Sequence, residues 1–175
     1  KSKTELPTLT SLGFEECSTD ERAVLDFKGG AKEAKKWMHQ WIWERDCLKS
    51  YKETRNGLVG ADYSSKLSPW LSTGCISVVE VYWEIKKYED ERVANDSTYW
   101  LFFELLWREF FRFVARRYGA QIFKRNGIKD SDEKMTLGDS KTFYRWKEGR
   151  TQNAFVNANM IELARTGWMS NRGRQ

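Results

Sequence analysis

From Ala31 onward, apolar residues recur at three- and four-residue intervals, a spacing that predicts helices. In AKEAKKWMHQWIWERDCLKS, from Ala31 to Ser50, the residues Ala34, Trp37, Met38, Trp41 and Leu48 share one face, so one helix with an aromatic stripe toward a core is expected. His39 falls outside that stripe. Ser68-Pro69 predicts a second helix start, with the hydroxyl at the N-cap, a proline that has no amide to leave unpaired, and Gly74 as the stop. Ser77 followed by Glu80 has the spacing of a capping box and opens a helix to about Arg92, with Val78, Tyr82 and Ile85 inward. Asp96 or Ser97 caps the next helix, expected over Thr98 to Tyr118 and ended by Gly119. That helix is apolar almost all round, which predicts burial, yet Glu104, Arg108, Arg112 and Arg116 recur at every fourth position. The charged stripe either lines a polar cavity or reduces to a Glu104–Arg108 pair with the other arginines in water. Polar residues 126–145, with Gly127 and Gly138, read as a loop, and Ala154 to Arg165 as a last helix. No strand pattern of similar strength occurs, so the expected fold is all-α. Residues 1–30, with Pro7, Gly13 and Gly29-Gly30, read as a linker to one domain over 31–175.

Composition narrows the function. The 175 residues are 40% hydrophobic and 31% charged, enough for one domain with a core. Nine Trp, seven Tyr and ten Phe against two Pro exclude disordered and proline-rich classes. The most apolar stretch, Tyr99 to Ala115, is broken by Glu104, Arg108, Glu109 and Arg112, so no run reaches the roughly 20 residues of a membrane span. A single histidine, His39, removes metal hydrolases and Ser-His or Cys-His nucleophilic enzymes. Cys17, Cys47 and Cys75 form no CxxC, and with no secretory signal they point to an intracellular, reducing compartment. The net charge is +5, and Arg108, Arg112, Arg116, Arg117, Lys124, Arg125 and Lys129 outweigh Glu109 and Asp130 within 105–130, an excess suited to a polyanionic partner. A start at Lys1 and a stop at Gln175, just past a helical-looking stretch, read as an internal fragment.

Two aromatic positions carry candidate chemistry. Trp107, one step from the charged stripe, can meet a planar ligand or pack in a core. The closing Trp168-Met-Ser-Asn-Arg-Gly-Arg-Gln joins an aromatic, an amide and two guanidiniums, which suits phosphate and base contacts as well as a basic surface turn.

Together, YKETRNGLVGADYSSKLSPWLSTGCIS, ERVANDSTYWLFFELLWREFFRF and ANMIELARTGWMSNRGRQ resemble the photolyase/cryptochrome family, and within it the DASH cryptochromes, over nearly the whole chain. The resemblance implies the N-terminal portion of that family's helical FAD-binding domain, without its N-terminal α/β antenna domain. Leu6 to Phe14 looks like the end of the linker that follows that domain, and the antenna chromophore stays unknown. It implies FAD as cofactor, held by Tyr51 and by Ser64, Ser65, Lys66, Leu67 and Ser68 at the pyrophosphate, with Arg108 and Arg174 near the flavin. Amides and hydroxyls ahead of the Ser-Pro helix start make a dianion site that requires no buried lysine. It further implies a cavity for a flipped pyrimidine dimer of single-stranded DNA, with Glu104 bonding the base, Trp107 stacking, Arg172 on phosphate, and Asn171 and Gln175 alongside. The implied activity is that of a deoxyribodipyrimidine photo-lyase or a blue-light sensor, with 1–175 alone inactive and holding FAD weakly or not at all. The alternative is a non-enzymatic interaction protein that keeps the helical platform within a larger complex. Chloroplast, mitochondrion and nucleus are all open as locations. Three departures stand out: Thr151-Gln152 where the family has Thr-Gly, Asn157 where it has aspartate, and Thr136 at the place of a surface tryptophan in its electron-hopping chain.

Overall fold

A computed structural model describes residues 7–15, 18–129 and 138–175, which form helices and connecting turns with no strand among the described residues. Thr136 and Cys17 lie outside them. Helix α1 covers Ala31–His39 and buries Ala34, Trp37 and Met38. The single helix expected to Ser50 does not form. Gln40–Glu44 is a wider π-helical turn that brings the consecutive Trp41 and Ile42 into the core, and the chain then breaks at Asp46, which is left-handed at φ 54°. A short polar side chain tolerates that conformation, and its surroundings hold it there. The Asp46 carboxylate accepts from Tyr88 Oη at 2.5 Å, Arg92 at 2.8 Å and Lys49 at 2.6 Å. Burial raises its pKa, but these bonds outweigh that and bring it down to about 2.

A 3₁₀ turn, Cys47–Ser50, leads into α2, Tyr51–Thr54. Ser68 does not cap α3, Ser68–Ser72: Leu67 stands at the N-cap with helical dihedrals, so the helix begins a residue early and the Ser68 hydroxyl makes no capping bond. In α4, Val78–Glu91, the expected box is present, with Glu80 N–H on Ser77 Oγ at 3.1 Å and Ser77 N–H on Glu80 Oε2 at 2.9 Å. Its buried line is Val81, Ile85 and Tyr88, while Val78 and Tyr82 are half-buried on the flank. Helix α5, Asp96–Tyr118, is capped by Asn95 rather than Asp96 or Ser97, because the Asn95 side chain accepts from the Ser97 and Thr98 amides. The freed hydroxyls stitch helices together, Ser97 Oγ donating to Glu53 at 3.0 Å and Thr98 Oγ1 to Glu89 at 2.7 Å.

One core runs from α1 to α5, with Trp41, Ile42, Leu48, Val81, Ile85 and Tyr88 fully buried. Burial on α5 stops at Leu105. Phe110, Phe111 and Phe113 are 53–65% exposed, against the all-round burial expected, because this 23-residue helix overruns its 14-residue neighbour α4. No described helix is long and apolar enough to cross a membrane.

Helix α6, Ser140–Lys147, lies inside the stretch read as loop; Asp139 caps it through the Thr142 amide, a start signal masked by the polar composition. Helix α7, Ala154–Thr166, ends at Gly167 with φ 70°, and the short α8, Asn171–Arg174, packs on it. Phe27 joins this pair to the core, its ring 5.3 Å from Trp70 and 5.2 Å from Trp168.

Asn157 uses both halves of its amide. Its oxygen accepts from the Thr151 amide and hydroxyl at 2.7 Å each, and its nitrogen donates to Thr151 O at 2.8 Å. Asn157→Asp loses one donated bond, worth about 0.5–1.5 kcal/mol, and gains a carboxylate in the first turns of α7, worth about 0.3–1 kcal/mol. Urea melts should therefore place N157D within about 1 kcal/mol of the parent, and N157A, which loses all three bonds, about 2 kcal/mol below it.

Candidate functional site

The loop between α2 and α3 is held from beneath by two indoles. Trp37 Nε1 donates to Ser65 O at 2.7 Å and Trp41 Nε1 to Asp62 O at 3.0 Å, while Arg45 pairs with Asp62 at 2.6 Å. Gly57 is required where the loop folds on itself, since a Cβ there would lie 2.6 Å from Tyr63 Cβ. Above the loop runs a cleft of two joined lobes. The polar lobe, about 240 Å³, is lined by Arg55, Tyr63, Ser64, Lys66, Trp168, Asn171 and Arg174. The apolar lobe, about 370 Å³, is lined by Leu71, Ser72, Val81, Leu101, Leu105 and Arg108. Tyr51, Ser65, Leu67, Ser68 and Glu104 border both.

The polar lobe has the chemistry of an anion site. Lys66, at φ 50°, turns inward until it is 3% exposed, with Nζ 3.2 Å from the centre of the Tyr63 ring and 3.3 Å from Ser64 Oγ. Burial lowers its pKa to about 8, against the opposing pull of Asp62 and Glu162. Tyr63 Oη and Trp168 Nε1 are buried there without a hydrogen-bond partner, and burial raises the Tyr63 phenol. Burial and the Glu104 carboxylate together raise the Tyr51 phenol. A lone buried ammonium beside orphaned polar groups is costly unless an anion completes it. Where a dianion site without a buried lysine was expected, the lining holds a buried lysine, Lys66, beside an α3 only five residues long.

Ser64, Ser65, Lys66, Leu67, Ser68 and Tyr51 meet in the cleft, joined from other elements by Arg108, Glu104, Asn171 and Arg174. Glu104 and Arg108 do not pair with each other. Glu104 pairs with Arg55 at 2.8 Å, and Arg108 with Glu109 at 2.6 Å and the Leu71 carbonyl at 3.0 Å. Trp107 lies outside both lobes, half exposed and packed against Phe103, Phe110 and Phe111. Arg172 and Gln175 also lie outside the lining, bonded to each other at 3.1 Å. Arg55, Tyr63 and Trp168 are lining residues that site selection by motif passed over. Among them, Trp168 had a signal in the aromatic-amide-guanidinium run.

The family profile for the FAD binding domain of DNA photolyase matches residues 100–175. A cryptochrome DASH of Natronomonas pharaonis is 55% identical over 170 residues, covering 97% of this chain and 36% of its own length. That of Danio rerio is 52% identical, covering 97% and 32%. The crystal structure of a Synechocystis cryptochrome superposes with a TM-score of 0.90 at 49% identity, covering 99% of this chain and 35% of that one. A class III photolyase from Agrobacterium tumefaciens gives 0.72 at 28% identity, covering 83% and 29%. The chain thus spans about a third of the length of these relatives.

Proposed function

The chain belongs to the photolyase/cryptochrome family, and from that premise we propose that it builds one wall of the FAD site of a DASH-type flavoprotein, whose activity is blue-light-driven repair of pyrimidine dimers in single-stranded DNA. The observation that carries the proposal is the two-lobed cleft with a buried, uncompensated Lys66 at its polar end. The residues present fit the cofactor. Lys66 and the hydroxyls of Ser64 and Ser65 would hold a diphosphate, Tyr63 Oη and Trp168 Nε1 would gain acceptors, and Leu67, Leu71, Leu101 and Leu105 would exclude water from rings in the apolar lobe.

FAD, when bound, supplies light absorption and electron transfer. The chain's residues place and insulate it. Arg108, fixed by the Leu71 carbonyl, sets a guanidinium at the apolar lobe, where it would stabilise added negative charge. Glu104, oriented by Arg55, presents a carboxylate on the border of both lobes to accept from a base edge, with the Asn171 amide nearby. The other reading, a non-enzymatic interaction protein, is favoured by the exposed aromatic face of α5.

A flavin titration separates the two readings. Chain 1–175 should show saturable tryptophan quenching by FAD with a dissociation constant no tighter than about 1 μM, since it supplies one wall of the site. No quenching at about 1 mM FAD would favour the interaction protein.

A further inference from the structure

Lys66 is the only buried charged side chain among the described residues, and it has no carboxylate within ion-pair distance there. Its neighbours are a ring face and a neutral hydroxyl. We infer that Lys66 couples diphosphate binding in the cleft to uptake of a proton, so that the cleft holds its ligand at neutral pH and releases it as the solution becomes alkaline; this rests on the reading of the cleft as an FAD site.

A left-handed lysine is strained, and the loop spends that strain to bury an ammonium where no protein anion meets it. Neutral lysine is therefore the favoured form of the empty cleft on the alkaline side, in keeping with a pKa lowered to about 8 by burial. A dianion beside Nζ reverses the preference. The other charged groups around the cleft do not supply this switch. Arg55 and Glu104 neutralise each other at 2.8 Å. Asp62 on the same loop and Glu162 on α7 oppose the lowering without reaching an ion pair. Arg174 on α8 lines the same lobe, and the Tyr63 phenol is pushed up by burial, away from the Lys66 range.

The sign follows from linkage. Below the pKa of the empty cleft Lys66 is charged in both states, so affinity is independent of pH. Above it, each unit of pH costs about tenfold in affinity until the bound-state pKa is reached, and each ligand takes up about one proton.

Isothermal titration in two buffers of different ionisation enthalpy, at pH 7 and pH 9.5, tests this with FAD, inorganic pyrophosphate and riboflavin. FAD and pyrophosphate should bind at least about tenfold more weakly at pH 9.5, with buffer-dependent heat showing uptake of about one proton there and almost none at pH 7. Riboflavin, which has no phosphate, should show no uptake. Lys66→Met should weaken FAD at pH 7 and abolish the uptake; should it fail to fold, the parent's buffer dependence still decides. FAD binding equally at both pH values without uptake overturns the inference and leaves the flavin reading standing. Pyrophosphate binding with uptake while FAD does not bind supports the inference and removes the flavin reading. Failure of both ligands to bind at pH 7 overturns both.

Discussion

Trp41→Ala should destabilise the chain by about 3–5 kcal/mol, the largest loss expected from one core position. The side chain is fully buried, its edge meets the Tyr51 ring with centres 5.8 Å apart, and its indole N–H donates to the Asp62 carbonyl at 3.0 Å. Alanine removes a large packed ring and leaves that carbonyl without its donor, two costs in the same place. Against a typical total of about 5–15 kcal/mol, the loss takes a large share of the folded population. Trp41→Phe keeps an aromatic ring and gives up chiefly the hydrogen bond, so about 2 kcal/mol is expected. Urea melts followed by far-UV circular dichroism measure both. A loss below about 1 kcal/mol for W41A would show that the loop from Gly57 to Leu67 is not suspended from this indole.

Trp41 also marks where the sequence was legible and where it was not. Its helical spacing showed it as a core residue, because burial of a large ring follows from local periodicity. The wide turn that carries it, and the break at Asp46, depend on Tyr88 and Arg92 more than forty residues away, which no local window contains. Caps divide in the same way. Ser77 with Glu80 is self-contained and was readable, whereas Asn95 takes the place of Asp96 and Ser97 because the Asp96 carboxylate pairs with Lys52 and the Ser97 hydroxyl donates to Glu53, both on α2. For the site, Ser64 to Ser68 and Tyr51 came from a resemblance and not from spacing, and all six line the polar lobe. Trp107 could not be placed from spacing alone, since one helical step separates the cleft face of Glu104 and Arg108 from the exposed aromatic face.

Ser65→Glu should weaken FAD by at least about 100-fold while the chain stays folded, which makes it the sharpest separation of site from scaffold. Ser65 borders both lobes, and its backbone carbonyl, not its hydroxyl, anchors the loop to Trp37 at 2.7 Å. A glutamate there keeps that anchor. It sets a carboxylate against the diphosphate, a repulsion of about 4 kcal/mol per unit charge at 4 Å near a protein surface, and offers Lys66 a partner inside the chain, so the ligand loses its counter-ion as well. Pairing raises the Lys66 pKa from about 8 in the parent. The sign for stability is then fixed: relative to the parent, the new pair stabilises the fold below about pH 8, where the parent carries a charged and unpaired lysine, and the gain fades as pH rises through the higher Lys66 pKa. Burying the carboxylate offsets part of that gain, so the melt at neutral pH should move by less than about 1 kcal/mol. Ser65→Ala, which keeps the anchor and adds no charge, should cost at most about tenfold in FAD affinity through one lost hydrogen bond. Tryptophan quenching across the three proteins reads the affinities, and S65E binding FAD within about fivefold of the parent would mean that the diphosphate does not lie against this loop.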